Sequence, residues 1–181
     1  MVCPRCISVV TEVISKLKLP HLSVRLGEAD LAKEPAKTEL EQVKQLLAAH
    51  GFELLEDKKT ELVERVKVVV IELIRSGEIE NMQINLSEHL SEQTATDYHY
   101  LSSAFSEQEG VTIARYLVLQ KIERVKELIR YNELTLSQIA YQLGYSSVAH
   151  LSAQFKQITG VTTSEFKKES TMPRKPLDKV L

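Results

Sequence analysis

The sequence predicts a small α+β domain and an all-α domain joined by a connector helix. Three observations carry this. Over residues 1–56 the apolar spacing switches between helical and strand periods. Residues 57–76 hold one unbroken helical pattern. From residue 81 to 169 every periodic segment is helical, and glycine occurs there only at 110, 144 and 160, each at an expected helix end.

The elements follow in order. Val9, Val10, Val13, Ile14 and Leu17 share one face of a first helix. "LSVRLG" alternates Leu22, Val24 and Leu26 against Ser23 and Arg25, the mark of a half-buried strand, and "ADLAK" answers it across a turn at Gly27-Glu28. A second helix covers "TELEQVKQLLAAH", with Thr38 as N-cap and Glu41 completing a capping box. Gly51 stops it, and "FELLE" reads as a last strand. Asp57 opens the connector helix, where Leu62, Val66, Val69 and Leu73 form a seam. About two heptads are too few for a secure coiled coil, so docking onto a neighbouring domain is favoured, with a homodimer through the seam left open. Residues 170–181, with two prolines and three basic residues, predict a mobile tail.

Composition bounds the function. The chain has 181 residues, 43% apolar and 27% charged, with a formal charge of −2. No apolar run approaches the ~20 residues that span a bilayer. The N-terminus lacks a secretory signal pattern, so no membrane association and a cytoplasmic location are expected. No nucleophile–base pair, phosphate-cradling glycine loop or carboxylate cluster points to an enzyme. The modest charge does not advertise nucleic acid, so any such reading rests on local pattern.

That pattern is present twice. "NLSEHLSEQTATDYHYLSSAFSEQEGVT" and "TLSQIAYQLGYSSVAHLSAQFKQITGVT" share Leu-Ser, an apolar pair, a turn, Leu-Ser-x-x-Phe and Gly-Val-Thr at the same spacing. Leu86 matches Leu136, Leu101 matches Leu151, Phe105 matches Phe155 and Gly110 matches Gly160. Leu90 and Leu143 are expected to close each first helix onto its second. Leu101 with Phe105, and Leu151 with Phe155, are i, i+4 anchors that turn one helix face inward and leave the other exposed. Between the units lies a long amphipathic helix whose core face is Tyr116, Leu117, Ile122, Val125, Leu128 and Ile129. Tyr98, Tyr100 and Tyr145 are expected to be partly buried packing residues.

A helix, a tight turn and a second, more polar helix make a helix-turn-helix, which lays its second helix in the DNA major groove. The stretch from about Asn85 to Lys168 resembles the DNA-binding domain of AraC-type transcriptional regulators, in which two such units are joined by a linker helix. Carried over position by position, the family's base-reading face falls on His99, Ser102 and Ser103, and on Val148, Ala149, His150 and Ala153. Ser147 stands at the second reader's N-terminus, and Lys156 is a phosphate contact. Ser103 and Ala153 depart from the long polar residues the family usually carries, so bidentate arginine readout of guanine is missing there. Eight Lys and Arg face ten Asp and Glu over residues 81–169, leaving little cationic surplus for phosphate.

The opening "MVCPRC" is different chemistry. A Met-x-Cys-x-x-Cys loop leading into a helix, then strand, strand, helix and strand, is similar to the heavy-metal-associated domain. The resemblance implies a ferredoxin-like fold in which Cys3 and Cys6 hold Cu(I) or Zn(II) as paired thiolates at a helix N-terminus. The family's first strand precedes the motif, so either the chain continues upstream or the sheet lacks that strand.

The expected function is therefore a transcriptional regulator that binds double-stranded DNA, with residues 1–56 as a sensing or interaction domain, 57–80 as connector and 81–169 as DNA module. The alternative is a soft-metal trafficking or buffering protein whose helical half docks protein partners.

Overall fold

The computed structural model describes residues 4–55, 57–77, 79 and 85–168. Met1, Cys3 and the expected tail at 170–181 lie outside the described residues. The chain divides into two compact units, Met1–Val68 and Val69–Leu181.

In the first unit the order is α1 (Pro4–Lys16), β1 (His21–Arg25), β2 (Glu28–Leu31) and α2 (Lys37–Ala49). Val10, Val13 and Ile14 of α1, Leu19, and Val43 and Leu47 of α2 form its core, with Val24, Leu31 and Phe52 packed against it. β1 and β2 pair antiparallel, but the register slips between His21 and Ser23. Leu22 is the extra residue of that bulge, and it stands 76% exposed instead of joining the inward alternation. Asp30 ties the hairpin together, accepting from Ser23 Oγ at 2.6 Å and from Arg25 Nη2 at 2.9 Å.

Three expectations are corrected here. Residues 52–55 form no strand, so the described sheet has two strands and the ferredoxin-like arrangement is not reached. The first residue of "FELLE" instead serves a helix cap. The Phe52 N–H donates to Leu47 O at 3.0 Å and the Gly51 N–H to Ala48 O at 2.9 Å, a Schellman closure whose apolar residue is Phe52. Helix α2 starts earlier than expected: Thr38 lies inside its first turn, and Glu39 reaches back to accept from the Ala36 N–H at 2.7 Å.

Helix α3 (Lys58–Ser76) is opened as expected by Asp57, whose carboxylate accepts from the Thr60 N–H at 2.9 Å. Its buried residues are Val63, Val66, Val68, Val70, Ile71, Leu73 and Ile74, while Leu62 and Val69 are half-buried. Two of the four expected seam residues, Val66 and Leu73, are thus buried, and Val63, Val70, Ile71 and Ile74 widen the apolar face beyond the expected row.

The second unit continues with α4 (Leu86–Thr94), α5 (Tyr98–Glu109), α6 (Ile113–Tyr131), α7 (Leu136–Gln142), α8 (Val148–Thr159) and α9 (Thr163–Lys168). The expected core closes. Leu90, Phe105, Leu143, Leu151 and Phe155 are fully buried, and Leu101 is nearly so. On α6, Tyr116, Ile122, Val125, Leu128 and Ile129 are buried, Leu117 is half-buried, and Ile113 and Gln120 join the core. Helix α6 packs against α5 on one side and against α7, α8 and α9 on the other. Aromatic pairs complete each half: Phe105 meets Tyr116 at 5.4 Å between ring centroids, and Phe155 meets Phe166 edge-on at 5.5 Å.

Candidate nucleic-acid interface

The second helix of each unit is set by the same local chemistry. Ser147 caps α8, its hydroxyl accepting from the His150 N–H at 3.1 Å. Asp97 caps α5 in the equivalent place, accepting from the N–H groups of His99 and Tyr100 at 2.9 and 3.3 Å. Both helices end on a glycine in the left-handed region, Gly110 and Gly160. The next helices are capped by Thr112 and Thr162, again fifty positions apart.

The turn between the two helices of a unit is where the copies differ. In the second unit it is a Schellman closure. The Tyr145 N–H donates to Ala140 O at 2.8 Å and the Gly144 N–H to Tyr141 O at 2.9 Å, with Gly144 at φ 64°. In the first unit the left-handed position is filled by Ala95 at φ 50°, a conformation that disfavours a side chain.

With Leu151 and Phe155 turned inward, α8 presents Ala149, His150, Ala153 and Lys156 to solvent, and Val148 is half-buried. Tyr145 underlies this face. It is buried, its phenol donates to Gln154 Oε1 at 2.7 Å, and its ring meets the His150 imidazole edge-on at 5.3 Å. Burial pushes the Tyr145 phenol up to about 12. The Lys121 ammonium lies 5.1 Å over the same ring, and its own pKa is lowered by burial. Ser146 Oγ is 3.1 Å from His150 Nδ1.

On α5 the exposed face holds His99, Tyr100 and Ser103, while Ser102 is half-buried beside Leu101. Tyr100 is 54% exposed, where a partly buried packing residue was expected. The fifty-residue offset explains its position: it is the counterpart of His150, as His99 is of Ala149 and Ser103 of Ala153. Tyr100 is thus the surface residue that sequence reasoning missed, and the repeat itself held the signal.

Electrostatics narrow what this surface can grip. On α6, Lys126 bonds Glu123 at 2.5 Å and Arg124 bonds Glu127 at 2.6 Å, with all four side chains at least four-fifths covered. Lys121 lies over Tyr145 and the Arg130 guanidinium over the Phe166 ring, so these cations too are in contact within the fold. The exposed cations are Arg115, Arg130, Lys156, Lys167 and Lys168. Glu165 is held below the usual carboxylate range by the Thr162 N–H and hydroxyl, and it stays charged near Lys156 and Lys168.

Of the expected cysteine pair, Cys3 lies outside the described residues. Cys6 sits half-buried in the first turn of α1. Among the described residues no three metal-ligating side chains converge. None of the described helices is long and apolar enough to cross a membrane.

Comparison with known proteins agrees with the helical half. Residues 90–169 match the family model described as a helix-turn-helix domain. Over 84 residues the chain is 31% identical to a putative AraC-like transcription regulator of Streptomyces lividans, covering 46% of this chain and 28% of that protein. It is 34% identical over 84 residues to an uncharacterised HTH-type transcriptional regulator of Staphylococcus aureus, covering 46% of this chain and 11% of that protein. The chain therefore spans well under a third of the length of these relatives. In fold it is similar to the C-terminal domain of AraT, a response regulator from Geobacillus stearothermophilus, with a TM-score of 0.52, 19% identity, and 66% of this chain and 97% of that chain covered. Residues 90–169 thus match a helix-turn-helix domain, and the relatives similar to them are AraC-like or HTH-type regulators.

Proposed function

We propose that this protein is a DNA-binding transcriptional regulator that lays α5 and α8 in successive major-groove segments of one duplex. The observation that supports it most is the repetition at fixed offset. Two capped helices, anchored by the same Leu and Phe fifty positions apart, each keep an outward face free. In this reading His150, Ala149, Ala153 and Val148 read bases from α8, and His99, Tyr100 and Ser103 from α5, with Ser102 at the margin. Ala149 and Ala153 suit thymine methyl groups, and the rings supply polar contacts in place of arginine. Lys156 and the exposed basic residues around it hold phosphates, and Ser147 sets the helix terminus. Sequence-dependent duplex shape carries the rest of the specificity. The N-terminal unit acts as a sensing or interaction domain.

Mobility-shift titration of the full chain against genomic fragments, at low and at high salt, tests this. Retarded complexes are expected at low salt, with a minority of fragments surviving at high salt. No complex with any fragment at low salt overturns the proposal. His150→Ala should weaken specific binding more than non-specific binding, and Lys156→Ala should weaken both alike.

A further inference from the structure

An AraC-type reader without arginine needs another way to address a base, and the neighbourhood of His150 supplies one. We propose that Ser146 positions the His150 imidazole so that its Nε2–H is the donor α8 offers to a purine N7. This rests on the DNA-binding reading above.

The imidazole is held from two sides. Its Nδ1 lies 3.1 Å from Ser146 Oγ, and its ring stands at 85° to Tyr145 with centroids 5.3 Å apart. Tyr145 is itself a fixed support, buried, bonded to Gln154 at 2.7 Å and covered by the Lys121 ammonium. The two serines divide their work: Ser147 accepts from the His150 N–H, and Ser146 meets the ring. With Nδ1 turned toward Ser146 and the residue exposed, Nε2 is the nitrogen left for a ligand.

The position of its proton follows from the neighbour. In a neutral imidazole the nitrogen bonded by its neighbour sets the tautomer. Ser146 donates to Nδ1, which leaves the proton on Nε2. In the major groove such a donor is met by N7 of either purine and by guanine O6, and it is repelled by the amino edge of cytosine. A ring already locked in place loses little rotamer freedom on binding, so a short side chain can still discriminate.

The test is selection of duplexes from a randomised library by the full chain, followed by anisotropy titrations on the selected duplex. Wild type is expected to require a purine at one position. His150→Ala should lose that preference by roughly 3- to 10-fold, the worth of one hydrogen bond. Ser146→Ala should lose most of it at the same position, the double variant should be no worse than His150→Ala, and Ser146→Thr should keep it. A 7-deazapurine at that position should weaken wild type but not His150→Ala. Nitrogen-15 NMR of the wild-type protein should show His150 protonated on Nε2 with Nδ1 accepting a hydrogen bond. The proposal is overturned if wild type selects a motif but tolerates the 7-deazapurine, if the two alanine variants act additively or at different positions, or if Nδ1 carries the proton. Failure of wild type to bind any duplex at low salt removes the DNA-binding reading itself.

Discussion

The salt dependence of DNA binding can be worked out from which cations the fold has already used. Eight Lys and Arg lie between residues 81 and 169. Lys121 lies over Tyr145, Arg124 is bonded to Glu127 and Lys126 to Glu123, so these three should not reach phosphate. Arg115, Lys156, Lys167 and Lys168 are exposed, as is Arg130, whose guanidinium rests 5.3 Å from the Phe166 ring centre. Four or five phosphate contacts give a slope of log K against log salt of roughly −4, at about −0.9 per neutralised phosphate. Raising salt from about 50 to about 200 mM should then weaken binding by roughly 150- to 500-fold. Fluorescence anisotropy of the full chain with one labelled duplex, at five or so salt concentrations, reads the slope directly. A slope near −7 would mean that the α6 cations leave their carboxylates on binding, and the reasoning would be wrong. Lys126→Met should leave the slope unchanged, whereas Lys156→Met should reduce it by about one.

Other expectations follow from packing and titration. Phe155→Ala removes a fully buried ring and its edge-on contact with Phe166, so urea unfolding should register a loss of about 3–5 kcal/mol, with Phe105→Ala comparable. Ala95→Gly relieves a left-handed alanine; set against glycine's extra chain entropy, a net gain of up to about 1 kcal/mol is expected in the same assay. Gly144→Ala should lose stability, since φ 64° is strained for any side chain. At high pH the phenol of Tyr145, raised to about 12, keeps its proton longer when folded than when unfolded. Its contribution is thus complete below pH ~10 and is lost as pH rises toward 12. Thermal melts should show a steeper alkaline decline for wild type than for Tyr145→Phe. Asp30 is shifted the opposite way, held low chiefly by Ser23 and then by Arg25, so what it adds is present above pH ~4 and fades as acid titrates it. Asp30→Asn should flatten the melting temperature across that acid range.

Much of the helical half was legible because its signals are local and doubled. The Leu-x-x-x-Phe anchors, the capping residues and the terminal glycines each specify their own turn of helix, and a second copy fifty residues on confirms the period. The exposed position of Tyr100 was also present in that repeat, although an aromatic beside Leu101 reads as core when judged alone. The N-terminal unit was less legible. Nothing in "LSVRLG" announces that the register slips at Leu22, because a bulge is decided between strands and not within one. "FELLE" reads as a short strand, yet its phenylalanine closes the end of α2 and packs against the six-residue core, a contact set by the helix end and not by the segment itself.

By itself, then, the sequence determined the pair of helix-turn-helix units, their terminal glycines and their inward anchors, all of which depend on spacings of about one turn or on simple repetition. Only the tertiary structure decided which charges remain for a partner and how His150 is held. The pairs at Glu123–Lys126, Arg124–Glu127 and Ser146–His150 are near in sequence, but whether such neighbours bond is decided by side-chain burial. Lys121 meets Tyr145 only because packing brings distant residues onto one ring, a contact of which chain spacing carries no record.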